Sequence, residues 1–156
     1  MTSPQSSRLA RFSVAVREST LKRLRRVPAG NENWRPGPGF MSVADLARHI
    51  LDADDWLLRK WSEPSIPAMQ GRAGCAEVRS WKEYERLLDA LDSMGRQRND
   101  FIAGLTDDEL STIVPDARFS GEVDWWWVIV RGNLDHEIHH RGQIATYLRL
   151  LGNVTL

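Results

Sequence analysis

Apolar residues recur at helical spacing in four stretches of the chain, and segments rich in glycine and proline separate them. The first stretch spans about Gln5 to Val27, with Ala10, Val14, Leu21 and Leu24 as its apolar stripe and Pro28 just beyond its end. The segment PAGNENWRPGPGFM, Pro28 to Met41, interrupts every turn and excludes helix. A second helix is predicted from Ser42, which can cap the first turn with Asp45 as the reciprocal partner; Val43, Leu46, Ile50, Leu57 and Trp61 face inward, and Pro64 and Pro67 close it. In the third, Ser80 and Glu83 spell a full capping box, with Tyr84, Leu87, Leu88, Leu91, Met94 and Phe101 inward. Between Leu105 and Glu122 the period is lost: TDDEL reads as one helical turn and STIVPDARFSGE as an irregular or hairpin segment. The last helix runs from about Val123 to Leu151 and stops at Gly152.

Four helices joined by long connections predict an all-α four-helix bundle with long crossovers and a short irregular or hairpin segment before the last helix. A length of 156 residues, 42% of them hydrophobic, suits one core, so residues 1–156 read as a single domain. The basic residues Arg17, Lys22, Arg23, Arg25 and Arg26 have no interleaved aromatics and read as a solvated helix face. Lysine and arginine total 21 against 21 acidic residues, so no overall field favours nucleic acid or an acidic membrane surface, and neither is expected as a partner. The N-terminus has no apolar signal core, and the longest apolar run, WWWVIV at Trp125 to Val130, is too short to span a bilayer. A cytoplasmic protein is expected. Cys75 is the single cysteine, so a metal would have to rely on histidine and carboxylate ligands.

Three of the four histidines fall within DHEIHHRGQ, Asp135 to Gln143. Ile129, Asn133, His136, His140, Ile144, Tyr147 and Leu151 share one inward stripe, and residues four apart lie only about 40° apart in azimuth, so His136 and His140 can converge on one ion. His139 belongs to a more polar stripe with Asp135, Gly142 and Thr146. His49, on the second helix, borders an apolar face between Leu46 and Ala53. Periodicity alone leaves two readings, buried core histidines or an open three-histidine site of the catalytic type. His136-Glu137-Ile138-His139-His140 has the HExxH spacing of zinc proteases, but that reading leaves His49 unexplained.

The segments NWRPGPGFMSVADLARHI, Asn33 to Ile50, and LDHEIHHRGQIATYLRLLG, Leu134 to Gly152, resemble the DinB/YfiT-like superfamily of small metal-binding helical bundles. The resemblance implies a divalent metal held by His49, His136 and His140, a bundle of unusual connectivity and frequently a homodimer. It implies as well a metal-dependent enzyme that transfers a low-molecular-weight thiol, or activates water as a hydrolase does, toward a small electrophilic substrate. A non-catalytic metal- or ligand-binding bundle, used for stress-related binding or sensing, is the alternative. Zinc suits three nitrogens best, and nickel, iron or manganese also fit an open site.

Asp45 and Asp52 flank His49 by one turn and are candidates to orient an imidazole. Arg141 is a candidate for an anionic substrate or a structural ion pair, and Gly142 for close helix approach. The successive Trp125, Trp126 and Trp127 must fan around the helix, so some are expected at a cavity mouth or subunit interface. Cys75, in a glycine-rich loop without a neighbouring base, reads as non-catalytic.

Overall fold

The computed structural model describes residues 3–152. Helix α1 (Pro4–Leu24) starts at Ser3, whose hydroxyl accepts from the Ser6 N–H at 3.0 Å, with Pro4 in the first turn where its missing N–H costs nothing. It stops three residues short of the expected Val27, because the residue before Pro28 is held out of helical conformation. Helix α2 (Val43–Ser62) carries the reciprocal Ser42–Asp45 capping box. At α3 (Trp81–Gly104) only half the expected box forms: Ser80 caps the Glu83 N–H, but the Glu83 carboxylate accepts from the Arg79 N–H instead of that of Ser80.

After the single turn α4 (Asp107–Leu110), strands β1 (Ile113–Asp116) and β2 (Gly121–Asp124) pair antiparallel as a hairpin, with Ile113 opposite Asp124. A 3₁₀ turn (Ala117–Phe119) joins them, and Ser120 and Gly121 follow at φ 67° and 125°. The final helical stretch begins at Trp125, capped by Asp124, and is not one regular helix. It divides into α5 (Trp125–Ile129), a π-helical turn (Val130–Leu134) and α6 (Asp135–Leu150), and Gly152 at φ 85° ends it. Trp125 is buried while Trp126 and Trp127 are exposed, as the fan requires.

Helices α1 and α2 each pack against both α3 and α6, which closes a four-helix bundle. The long connections are residues 25–42, 63–80 and 105–124. No described helix is long and apolar enough to cross a membrane.

The core has two apolar clusters. One holds Leu21, Leu24, Leu46, Ile50, Tyr84, Leu91, Ile144 and Leu148; the other holds Leu9, Leu57, Ile102, Val128, Ile129 and Leu134. On every long helix a charged residue sits between the two sets in sequence. These residues, Arg17 (4% exposed), Asp54 (1%), Arg98 (0%) and Glu137 (1%), meet as one buried layer. Arg17 donates from Nη2 to Asp54 at 2.6 Å and from Nε to Glu137 at 2.9 Å, and another Arg17 N–H reaches the Leu91 carbonyl. Arg98 donates to Asp54 at 3.0 Å and Glu137 at 2.6 Å. Asn133, in the π turn, donates to Asp54 at 3.1 Å and to the Ala53 carbonyl at 3.3 Å. Two cations thus meet two carboxylates with their hydrogen bonds filled, the condition under which buried charge is tolerated.

This layer corrects three sequence expectations. Arg17 is not on the solvated basic face; Ser6, Ser13, Arg17 and Thr20 are buried, while Val14, expected inward, is 40% exposed. On α3 the buried seam passes through Gly95, Arg98 and Ile102, and Leu87, Met94 and Phe101 are only partly buried. Gly95 is required there, because a Cβ would fall 2.6 Å from Arg17 Nη1.

Burial alone would raise the Glu137 pKa, but Arg98 and Arg17 push it down to about 2. Glu137→Gln leaves two buried guanidinium groups with one carboxylate, and is expected to cost about 3–5 kcal/mol in urea unfolding. Asp92→Asn, at the exposed Arg96–Asp92 pair, is expected to cost under about 1 kcal/mol. Equal costs for the two would show that the layer contributes no more than a surface pair.

Candidate metal centre

The π turn decides which way α6 faces. The Asp135 N–H reaches back five residues to the Val130 carbonyl, and this extra residue turns α6 by about 100° relative to an unbroken α-helix from α5. Side chains hold the turn in place. Asn133 ties it to α2, and the hairpin residue Arg118 donates to the Gly132 carbonyl at 3.1 Å. Gly132 makes room for that guanidinium, since a Cβ would lie 2.6 Å from Arg118 Nη2. Arg118 is oriented by Asp116 at 2.6 and 2.9 Å and lies 4.4 Å over the Trp56 ring.

With α6 so turned, His136 and His140 face His49 across the α2–α6 contact. The Nε2 atoms of His136 and His49 are 2.8 Å apart, and those of His140 and His136 are 3.0 Å apart. The three rings meet edge to face, with centroids 4.4 to 4.7 Å apart. Among the described residues, no carboxylate or cysteine joins the three as a further ligating group. His139 is exposed and points away, its ring 5.0 Å from that of His140.

Protonation in this cluster is constrained. Gln143 Oε1 lies 2.7 Å from His140 Nδ1, and an amide oxygen only accepts, so Nδ1 carries the proton and Nε2 turns its lone pair inward. Burial pushes the His136 pKa down to about 3, with His140, His49 and Arg118 adding to the effect. Burial likewise lowers His140 to about 4, against the opposing Gln143 hydrogen bond, and lowers His49. All three rings are therefore neutral at neutral pH, the form that ligates metals.

Three nitrogens this close cannot all be satisfied by one shared proton. A tetrahedral ion with Zn–N bonds of about 2.05 Å needs nitrogens about 3.3 Å apart, so the cluster accepts a divalent ion after an expansion of only a few tenths of an ångström. The buried Nδ1 atoms of His49 and His136 have no hydrogen-bond partner among the described residues. The donor set fits a metal, and these three histidines could hold one.

Other candidates take different places. Asp45 does not orient His49: its carboxylate accepts the N–H groups of Ser42, Gly74 and Ala76, each at 2.8 Å, and so straps the 63–80 connection to α2. Asp52 pairs with Arg48 at 2.8 Å and touches no imidazole. Arg141 forms no ion pair among the described residues; its charge, after burial, helps lower the Arg23 pKa. Gly142 is exposed with open space where a Cβ would be, so the expected close helix approach is absent. The close approach is at Gly71, where a Cβ would meet His49 Nδ1 at 2.7 Å. Cys75 lies against the Asp45 carbonyl, and burial together with Asp45 raises its pKa. Gln143 was not anticipated in its role, although its place three residues after His140 is the spacing at which helical side chains touch.

The DinB superfamily model matches residues 14–144, and the chain belongs to that superfamily. Its fold is similar to that of a DinB-like protein, YjoA, from Bacillus subtilis: the TM-score is 0.70 over 96% of this chain and 95% of that one, at 16% identity. No functionally curated protein matches the sequence.

Zinc content after purification without a histidine tag is expected to collapse in His49→Ala, His136→Ala and His140→Ala and to persist in His139→Ala. Loss of the metal in His139→Ala with retention in His140→Ala would overturn the assignment of the α6 faces. Acid should destabilise the metal-free protein early. The folded-state pKa values of His136 and His140 lie below the ordinary 6.5, so the unfolded chain takes up protons that the folded one does not. Stability is therefore expected to fall as pH drops from about 6.5 toward 4, and further as Glu137 is protonated below its ordinary 4.5. A melting temperature that stays flat from about pH 7 to about pH 5 would contradict this.

Proposed function

We propose that this protein is a divalent-metal-dependent enzyme that joins a low-molecular-weight thiol, or water, to a small electrophile. The observation that carries the reading is the donor set, three neutral imidazoles, two buried and one half-buried, with no carboxylate or cysteine beside them among the described residues. Such a set leaves the charge of an ion uncancelled and its remaining positions open. When bound, the metal would lower the pKa of an incoming thiol or water, so that the nucleophile exists near neutral pH. Zinc is the preferred ion, with nickel, iron or manganese also accommodated.

The chain's own residues do the remaining work. His49, His136 and His140 hold the ion, and Gln143 keeps the His140 proton on Nδ1 so that Nε2 stays free to ligate. Cys75, its thiol kept protonated, does not compete as a nucleophile. A cavity of about 540 Å³ beside His49 offers room for a small substrate.

Zinc-loaded protein is expected to accelerate conjugation of at least one of glutathione, mycothiol and bacillithiol to a broad panel of electrophiles, and chelation is expected to abolish the rate. If all three thiols are inert while zinc binds stoichiometrically, the non-catalytic metal-binding reading takes its place.

A homodimer is part of the same proposal, supported by the exposed aromatic surface of Trp126 (38%), Trp127 (40%) and Phe12 (48%). Light scattering should give twice the chain mass, and 17.8 kDa at all micromolar concentrations would contradict it.

A further inference from the structure

The cavity beside His49 has a chemistry of its own. One wall is α2, with Arg48, His49 and Asp52; the other is the 63–80 connection, with Met69, Arg72 and Cys75. That second wall is fixed before any ligand arrives. Asp45 takes the N–H groups of Gly74 and Ala76, and Trp56 Nε1 donates to the Pro67 carbonyl at 2.7 Å, so the loop is pinned on both sides of the cavity-lining residues. Gly71, without a side chain, lets the loop close directly on the His49 ring.

The charges lining the cavity do not cancel. Arg48 is neutralised by Asp52 at 2.8 Å, and the Cys75 thiol, with its raised pKa, contributes no charge. Arg72 has no carboxylate partner among the described residues. The cavity therefore presents one uncompensated guanidinium on a preformed wall, next to a candidate metal ligand and with the apolar Met69 alongside. A planar, forked cation of this kind matches a carboxylate, which it can bind through two parallel N–H donors.

We infer that this cavity seats a carboxylate of one of the two reactants, with Arg72 as its anchor. The inference rests on the proposed thiol-transfer reading and narrows it to a carboxylate-bearing thiol or a carboxylate-bearing electrophile. Arg72 determines specificity and takes no part in bond making.

The test is an NMR titration of the zinc-loaded and metal-free protein. One arm uses S-methylglutathione and its diethyl ester, whose thioether sulfur cannot act as a thiolate ligand; the other uses 4-chloro-3-nitrobenzoate and its methyl ester. In at least one arm the acid should bind at least about tenfold more tightly than the ester, with shifts centred on residues 69–75 and α2. Arg72→Ala should erase that preference, Arg72→Lys should keep part of it, and Arg79→Ala, outside the cavity, should leave it unchanged. Preference in the first arm assigns the seat to the thiol, and in the second to the electrophile. Equal binding of acid and ester in both arms, or a preference that survives Arg72→Ala, overturns the inference. The two readings fail separately. Thiol conjugation indifferent to Arg72 and to esterification would sink the seat and leave the transferase reading standing, whereas Arg72-dependent binding in a protein that takes up no metal would do the reverse.

Discussion

One charged side chain from each of the four long helices meets in a layer halfway along the bundle, and the rest of the structure is arranged around it. Desolvating two guanidiniums and two carboxylates costs several kcal/mol per ion, so the layer is tolerable only when all four groups are in register. That requirement fixes how each helix is rotated. With Glu137 pointing inward at Arg17 and Arg98, residue 136 precedes it by about 100° and residue 140 trails it by about 60° on the helical wheel, so both imidazoles fall on one flank. The same layer takes Asp54 from α2, five residues after His49, and so brings the third imidazole to that flank.

The π turn is the second device that orients α6. An unbroken helix from Trp125 could not bury Ile129 and Trp125 against the hairpin end and also present Glu137 to the ion layer, because the two faces differ by the angle of one residue. The extra residue is absorbed where Gly132 gives Arg118 access and where Asn133 reaches Asp54 and Ala53. Charge is handled in opposite ways on the two sides of this turn. Glu137 is held ionised by its cations, while His136 next to it is held neutral by burial and by the positive Arg118 nearby.

Local features were legible in the sequence. The Ser42–Asp45 box, the hairpin, the fan of tryptophans and the shared face of His136 and His140 all depend on residues within about one or two turns of each other. What escaped depends on partners remote in sequence. Arg17 is indistinguishable from its basic neighbours until Glu137, 120 residues away, is placed beside it. Arg98 hid the α3 seam for the same reason, and Gly95 gains its meaning only from the Arg17 side chain against it. Asp45 lies one turn from His49, but the loop residues that claim its carboxylate are 29 and 31 positions on. The π turn had no signature in apolar spacing, since Ile129 and Asn133 fall at helical spacing with His136 and His140 in the sequence and are buried in the structure.

Whether His49, His136 and His140 form one metal-binding unit can be seen in an X-ray absorption spectrum of stoichiometrically zinc-loaded protein. The expected spectrum shows three imidazole nitrogens at about 2.0–2.1 Å, a remaining light-atom ligand and no sulfur. A fit that requires sulfur at about 2.3 Å, which would bring Cys75 into the shell, or that accommodates fewer than three imidazoles, would contradict it.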